Sequence, residues 1–94
     1  MSVHRNWVTG VKRIQGGKTV KVDIRVDNGV IEDIVISGDF FAYPEEAIDQ
    51  LEEELKGKKI EDVDKVLNKY RDHIELVGLT FHDLASLIRE LIRR

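Results

Sequence analysis

The chain has no cysteine, one proline, one methionine and one tryptophan among its 94 residues. The absence of cysteine excludes the most chemistry: no disulfide, no thiolate nucleophile, and no thiolate-held zinc or iron–sulfur centre can form. No apolar run approaches the roughly 18 residues that a membrane span requires. His4, Arg5 and Asn6 are not followed by the apolar stretch of a secretion signal. The expected compartment is therefore the cytosol, with no membrane partner. His4, His73 and His82 share no i, i+4 spacing, so surface or capping roles are expected rather than metal ligation. Of Ser2, Ser37, Ser86, Thr9, Thr19 and Thr80, none stands beside a histidine in a nucleophile-elbow context. Gly17-Lys18-Thr19 ends like a phosphate-binding loop. That loop needs glycine at position 12, which is Lys12, and a helix after it, where a strand is expected.

The residues present describe a folded α+β protein. With 41% hydrophobic and 35% charged residues, residues 1–94 are expected to form a single domain, burying about 60–65% of the unfolded chain's surface. The net charge of −3 is unevenly spread: residues 1–31 carry +4, residues 32–64 carry −9 and residues 65–94 carry +2. A basic hairpin could face a phosphate-bearing ligand or an acidic partner. Without aromatic stacking residues, so small a surplus does not point to nucleic acid. The Lys/Glu-rich composition also suits a heat-adapted protein.

Val8 to Ile14, interrupted by Gly10, reads as an edge strand or irregular lead-in, and Gly16-Gly17 as a hairpin turn. From Thr19 to Asp27 the residues Val20, Val22, Ile24 and Val26 alternate with polar ones, giving a strand with one face buried. Asp27-Asn28-Gly29 suits a type I′ turn. Val30 to Ser37 returns as a third strand whose parity fails, because Ile31 and Val35 fall opposite Ile34 and Ile36. A bulge near Glu32-Asp33, or partial cover on both faces, resolves this.

Gly38-Asp39 ends that strand, and Phe40-Phe41 forms a corner. Both rings are expected in the core, with the alternative that one meets a partner. Pro44 fits the first position of a helix, with Glu45 and Glu46 at the positive end of its dipole. Ala47, Ile48, Leu51 and Leu55 form its apolar side, and Glu52-Glu53-Glu54 reads as a solvated face. Gly57 is the expected C-terminal cap. A second helix is expected from about Glu61 to His73. After the break at Val77-Gly78-Leu79, a third starts at Thr80 with Asp83 completing a variant capping box. The expected architecture is a three-stranded antiparallel meander with about three helices on one face. The residues alone assemble no active site.

Two stretches carry a resemblance. Gly16 to Phe41, G-G-K-T-V-K-V-D-I-R-V-D-N-G-V-I-E-D-I-V-I-S-G-D-F-F, and Tyr43 to Lys58, Y-P-E-E-A-I-D-Q-L-E-E-E-L-K-G-K, resemble the C-terminal accessory domain of lipoate–protein ligases. In that family a Gly-Gly-Lys hairpin, two strands and a Gly-Asp-Phe-Phe corner precede a helix ending in Leu-x-Gly, and two more helices follow. The resemblance is strongest from Gly16 to Lys58. After Ile60 only the helical pattern and the break at Gly78 correspond.

The resemblance implies a SufE/NifU-like fold without the cysteine chemistry of those proteins. It also implies a non-catalytic accessory subunit of an archaeal-type two-part ligase, paired with a separate catalytic subunit. That enzyme uses ATP, magnesium and lipoate to form lipoyl-adenylate, then lipoylates a lipoyl-domain protein. No catalytic residue and no cofactor of its own is implied for this chain. Candidate contacts with the partner are the hairpin at Lys18 and the corner Gly38, Asp39, Phe40 and Phe41. The competing reading is an α+β binding or oligomerisation domain unrelated to lipoate.

Overall fold

In the computed structural model, residues 7–14, 16 and 18–93 are described. Three antiparallel strands, β1 (Val8–Ile14), β2 (Lys18–Asp27) and β3 (Val30–Gly38), form a sheet in that spatial order. β2 is central, and its alternation decides which way the sheet faces. Val20, Val22 and Ile24 have no exposed surface, whereas Lys21 between them is exposed. The parity fault in β3 is a bulge. Arg25 pairs with Asp33 but Val26 pairs with Ile31, so Glu32 is the extra residue. This puts Ile31, Ile34 and Ile36 in the core together and leaves Val35 43% exposed. The Glu32 carboxylate lies 3.5 Å from Arg25 Nε, and the Arg25 guanidinium lies 5.1 Å from the centre of the Trp7 ring. At the hairpin tip Asn28 and Gly29 both take positive φ, as the expected turn requires.

Helices α1 (Ala47–Leu55), α2 (Val63–Arg71) and α3 (Phe81–Ile92) follow, with a single 3₁₀ turn at Ile60–Asp62 leading into α2. Leu51 and Leu55 of α1, Leu67 of α2 and Leu84 and Ile88 of α3 join the β2 and β3 side chains in one core. Gly10 makes the seat for α3: a Cβ there would come within 2.8 Å of Leu87 Cδ1 and 2.9 Å of Leu91 Cδ2. The residue that interrupts the β1 pattern is thus the one that lets a helix approach the strand closely. The capping box of α3 is formed, with Thr80 Oγ1 accepting the Asp83 N–H at 3.1 Å and Asp83 Oδ2 accepting the Thr80 N–H at 3.2 Å.

Four corrections to the sequence reading concern the elements and their edges. Pro44 is not the first residue of a helix. It lies in a turn, its carbonyl accepts the Ala47 N–H at 2.9 Å, and α1 starts at Ala47. The second helix is shorter than expected and stops at Arg71, where His73 Nδ1 lies 2.7 Å from the Lys69 carbonyl. The short segments flanking the helices form a second sheet, β4 (Phe41–Tyr43) paired antiparallel with β5 (Glu75–Val77). Three-residue strands with helix-compatible neighbours leave no periodic signal in a sequence, because pairing rather than pattern creates them.

The fourth correction concerns the acidic run of α1, two of whose carboxylates are engaged. Glu54 accepts from Lys69 Nζ at 3.0 Å and from Tyr70 Oη at 2.9 Å, tying α1 to α2. The bond to Lys69, then that to Tyr70, holds its pKa below the ordinary value. Glu52 Oε2 accepts the Ile36 N–H at 2.7 Å. Along β3 the Ile31 N–H reaches the Lys58 carbonyl at 2.9 Å, and the Ile34 N–H reaches Asp33 Oδ1 at 2.9 Å. Side chains and the exit of α1 thereby occupy an edge that would otherwise offer a row of donors to another chain. Among the described residues no helix is long and apolar enough to cross a membrane.

Burial raises the pKa of Glu52, against the opposing effect of the Ile36 N–H; Asp49 and Asp33 add to the rise and Lys56 reduces it. A carboxyl with a raised folded-state pKa favours the fold most below its unfolded value and loses that contribution as pH climbs through the folded value. Glu52→Gln retains an acceptor for Ile36 and should flatten this decline, so its stability relative to wild type rises between about pH 4 and pH 7. Glu52→Ala strands the amide and should cost about 1–2 kcal/mol at neutral pH. Urea denaturation of the three proteins across that range checks both outcomes.

Candidate partner-contact surface

The residues marked by the sequence converge at one end of the sheet. Lys18 opens β2 and is exposed. Across from it β3 ends at Gly38, where Asp39 closes a reciprocal pair with Thr19. The Thr19 N–H donates to Asp39 Oδ1 at 2.5 Å, and the Asp39 N–H donates to the Thr19 carbonyl at 3.2 Å. This extends the β2–β3 ladder one step past the last strand pair, Val20 with Gly38. Gly38 has φ 151°, and a Cβ there would lie 2.2 Å from the Thr19 carbonyl oxygen. The Gly-Asp dipeptide is therefore built into the corner: glycine for the close approach, aspartate to satisfy the amide that the departing chain leaves behind.

The two aromatics separate. Phe40 is half-buried and packs on the core, its ring lying over Gly38. Its Cβ and the Lys18 stem also flank Gly78, since a Cβ at position 78 would be 3.5 Å from Phe40 Cβ and 3.4 Å from Lys18 Cγ. Phe41 turns outward and is 65% exposed. The expectation that both rings enter the core is met by Phe40 and not by Phe41. The reason is the unforeseen strand β4: once residues 41–43 are extended, successive side chains alternate sides. Ala42 packs inward with its partner Leu76, while Phe41 and Tyr43 point away from the core. Phe41 stands opposite Val77, and Tyr43 stands opposite Glu75.

The outward side of this ribbon thus presents Phe41, Tyr43 and Val77 side by side, the last two being 52% and 48% exposed. Tyr43 and Val77 were not identified from sequence. The signal available was the i, i+2 spacing of Phe41 and Tyr43, which carries meaning only once the segment is known to be a strand. Along the chain from Asp39 to Leu55 there are seven carboxylates and no Lys or Arg.

The hollows elsewhere differ in charge: one is lined by Lys58, Lys65 and Lys69 with Glu54 and Asp62, and another by Arg89 and Arg93 with Glu90. A shallow one of about 440 Å³ is lined by Glu46, Asp49, Gln50, Glu53, Glu54 and Tyr70. Its carboxylates would repel a phosphate or a fatty carboxylate. Ser86 Oγ lies 3.4 Å from His82 Nε2, a contact between one-turn neighbours on the solvated side of α3. Among the described residues no three His, Cys, Asp or Glu side chains gather as a metal site. The surface offers apolar contact and charge.

Gly38→Ala should lower stability by about 2–3 kcal/mol through the forbidden φ and the carbonyl clash. Gly10→Ala meets only the ends of two leucine side chains, which can rotate, and should cost less. Thermal unfolding of both variants tests the ranking.

A family model describing the bacterial lipoate protein ligase C-terminus matches residues 8–88. A curated relative, lipoate-protein ligase A subunit 2 of Thermoplasma acidophilum, is 39% identical over 90 residues, spanning 95% of this chain and 89% of the relative. A solved chain from the archaeal lipoylation system of T. acidophilum, described as a bi-partite lipoate protein ligase and its E2 lipoyl domain, superposes with a TM-score of 0.79. That match has 28% identity and covers 92% of this chain and 98% of the other. The range of the family model includes the Gly-Asp-Phe-Phe corner, and the solved chain shares the architecture described above. This chain belongs to the lipoate–protein ligase C-terminal family, the accessory part of that ligase.

Proposed function

We propose that the protein is the accessory subunit of a two-part lipoate–protein ligase and works as a heterodimer with a separate catalytic subunit. The observation that carries this reading is that nearly the whole chain aligns with nearly the whole of a relative named as subunit 2 of such a ligase. In this division of labour ATP, magnesium and lipoate are handled by the partner, and this chain lends it a surface.

The physical need for such a surface comes from the intermediate. Lipoyl-adenylate is a mixed anhydride and is readily hydrolysed, so the site that forms it must exclude water while the adenylate waits for the acceptor lysine of a lipoyl-domain protein. Bringing a second chain against the catalytic subunit orders its loops and helps exclude solvent. The corner from Gly38 to Phe41, with Lys18 beside it, is rigid enough for that role because Asp39 and Phe40 fix it to the sheet and core.

The test is reconstitution. The catalytic subunit, ATP, magnesium and lipoate should yield lipoyl-adenylate at least about tenfold faster with this protein than without it, equivalent to about 1.4 kcal/mol of barrier. This protein alone should yield none. Adenylate formation that ignores the added chain, or turnover of ATP or lipoate by the chain alone, overturns the reading.

A further inference from the structure

Among the described residues, large exposed apolar side chains occur in two places, and their surroundings differ. On the open side of the three-stranded sheet Trp7, Val11 and Val35 are 42%, 59% and 43% exposed. They are set among residues of alternating sign: Arg25 faces Asp33 across the strands, Asp23 faces Val35, and Lys21 faces Val11. Each apolar group there is isolated by neighbouring charges, as is ordinary for a solvated sheet. The β4–β5 ribbon is different. Phe41 and Val77 are directly paired and Tyr43 is two residues along on the same side, so three large side chains adjoin. They are held by a ribbon whose other side is anchored in the core through Ala42 and Leu76.

From this contrast we propose that the outward side of the β4–β5 ribbon is the docking surface for the catalytic subunit, with Phe41, Tyr43 and Val77 as its centre. The inference rests on the accessory-subunit reading and deepens it. The partner surface is apolar at its middle and carries Lys or Arg around it.

Charge decides the occupant. Glu75 lies on the ribbon itself opposite Tyr43, and Glu45 and Glu46 follow Tyr43 closely on the chain, all exposed, so carboxylates outnumber the neighbouring Lys18, whose stem lies beside Gly78. A second copy applied to the same patch across a two-fold axis would set these carboxylates against their own equivalents, and like charges so placed oppose association. A different chain with a basic rim meets no such penalty and is steered toward the patch. A cluster of two aromatics and a valine on a rigid support, with polar groups around it, has the composition of an interface hot spot.

The test measures binding of the full chain to the catalytic subunit by titration calorimetry, with circular dichroism verifying that each variant is folded. Phe41→Asp and Val77→Asp, both at exposed positions, should each weaken the dissociation constant by about thirtyfold or more. Val11→Asp and Val35→Asp, on the open side of the main sheet, should change it less than about threefold. Glu45→Lys with Glu46→Lys should raise the dissociation constant at low salt and less so at high salt. If the wild-type chain does not bind the catalytic subunit at all, the accessory-subunit reading fails. If it binds and the ribbon variants bind equally well, that reading stands and the docking site proposed here is wrong. Dimerisation of the wild-type chain that Phe41→Asp abolishes, seen by sedimentation, would assign the ribbon to a second copy and also overturn the proposal.

Discussion

The structure depends on a shortage: the chain has enough large apolar side chains to cover one side of a three-stranded sheet and not the other. Val20, Val22 and Ile24 alternate out of water along β2, and all three helices are recruited to that side. The bulge at Glu32 follows from this constraint, since without it half of β3 would point its isoleucines into solvent. Gly10 follows too, because the long helix α3 can seal the β1 side only where no side chain holds it off. The opposite side of the sheet is left with interleaved charges, as water-facing antiparallel sheets commonly are.

An open-edged sheet carries unpaired strand borders, and the β3 border is covered. β3 has its outward amides occupied by Glu52, by Asp33 and by the backbone at Lys58. The acidic helix surface is therefore partly structural, with Glu52 retained as a carboxylate at a desolvation cost because an edge amide needs an acceptor. Glu54, more exposed and paired with Lys69 and Tyr70, has its pKa shifted the opposite way. Neighbouring residues in one acidic run thus have different tasks, set by which strand or helix each reaches.

What could be read from the sequence was whatever leaves a period or a conformational requirement. The alternation of β2, the Asn-Gly turn and the capping box of α3 each rest on a local pattern and each is present, and of the two ways to resolve the parity of β3 the bulge is the one found. The ribbon of β4 and β5 was not legible. Its strands are three residues long and their partners lie more than thirty positions apart, so nothing local distinguishes them from loop. The same gap explains why the corner was identified but its anchor residues were not. Phe41 was marked as an aromatic at a turn, whereas Tyr43 and Val77 acquire meaning only through pairing. The Gly38-Asp39 pair was read as a strand stop, and it is a lock as well, since Asp39 returns a bond to Thr19.

The binding of the segment after α1 to the start of β3 has one more consequence. Gly57 donates to the Ile31 carbonyl at 2.7 Å and Ile60 donates to the Gly29 carbonyl at 2.9 Å, while Ile31 donates in return to Lys58. The tip of the β2–β3 hairpin is thereby stitched to the C-terminal end of α1, where a helix usually begins to unravel. Each restrains the other, so unwinding the end of α1 also requires releasing the hairpin.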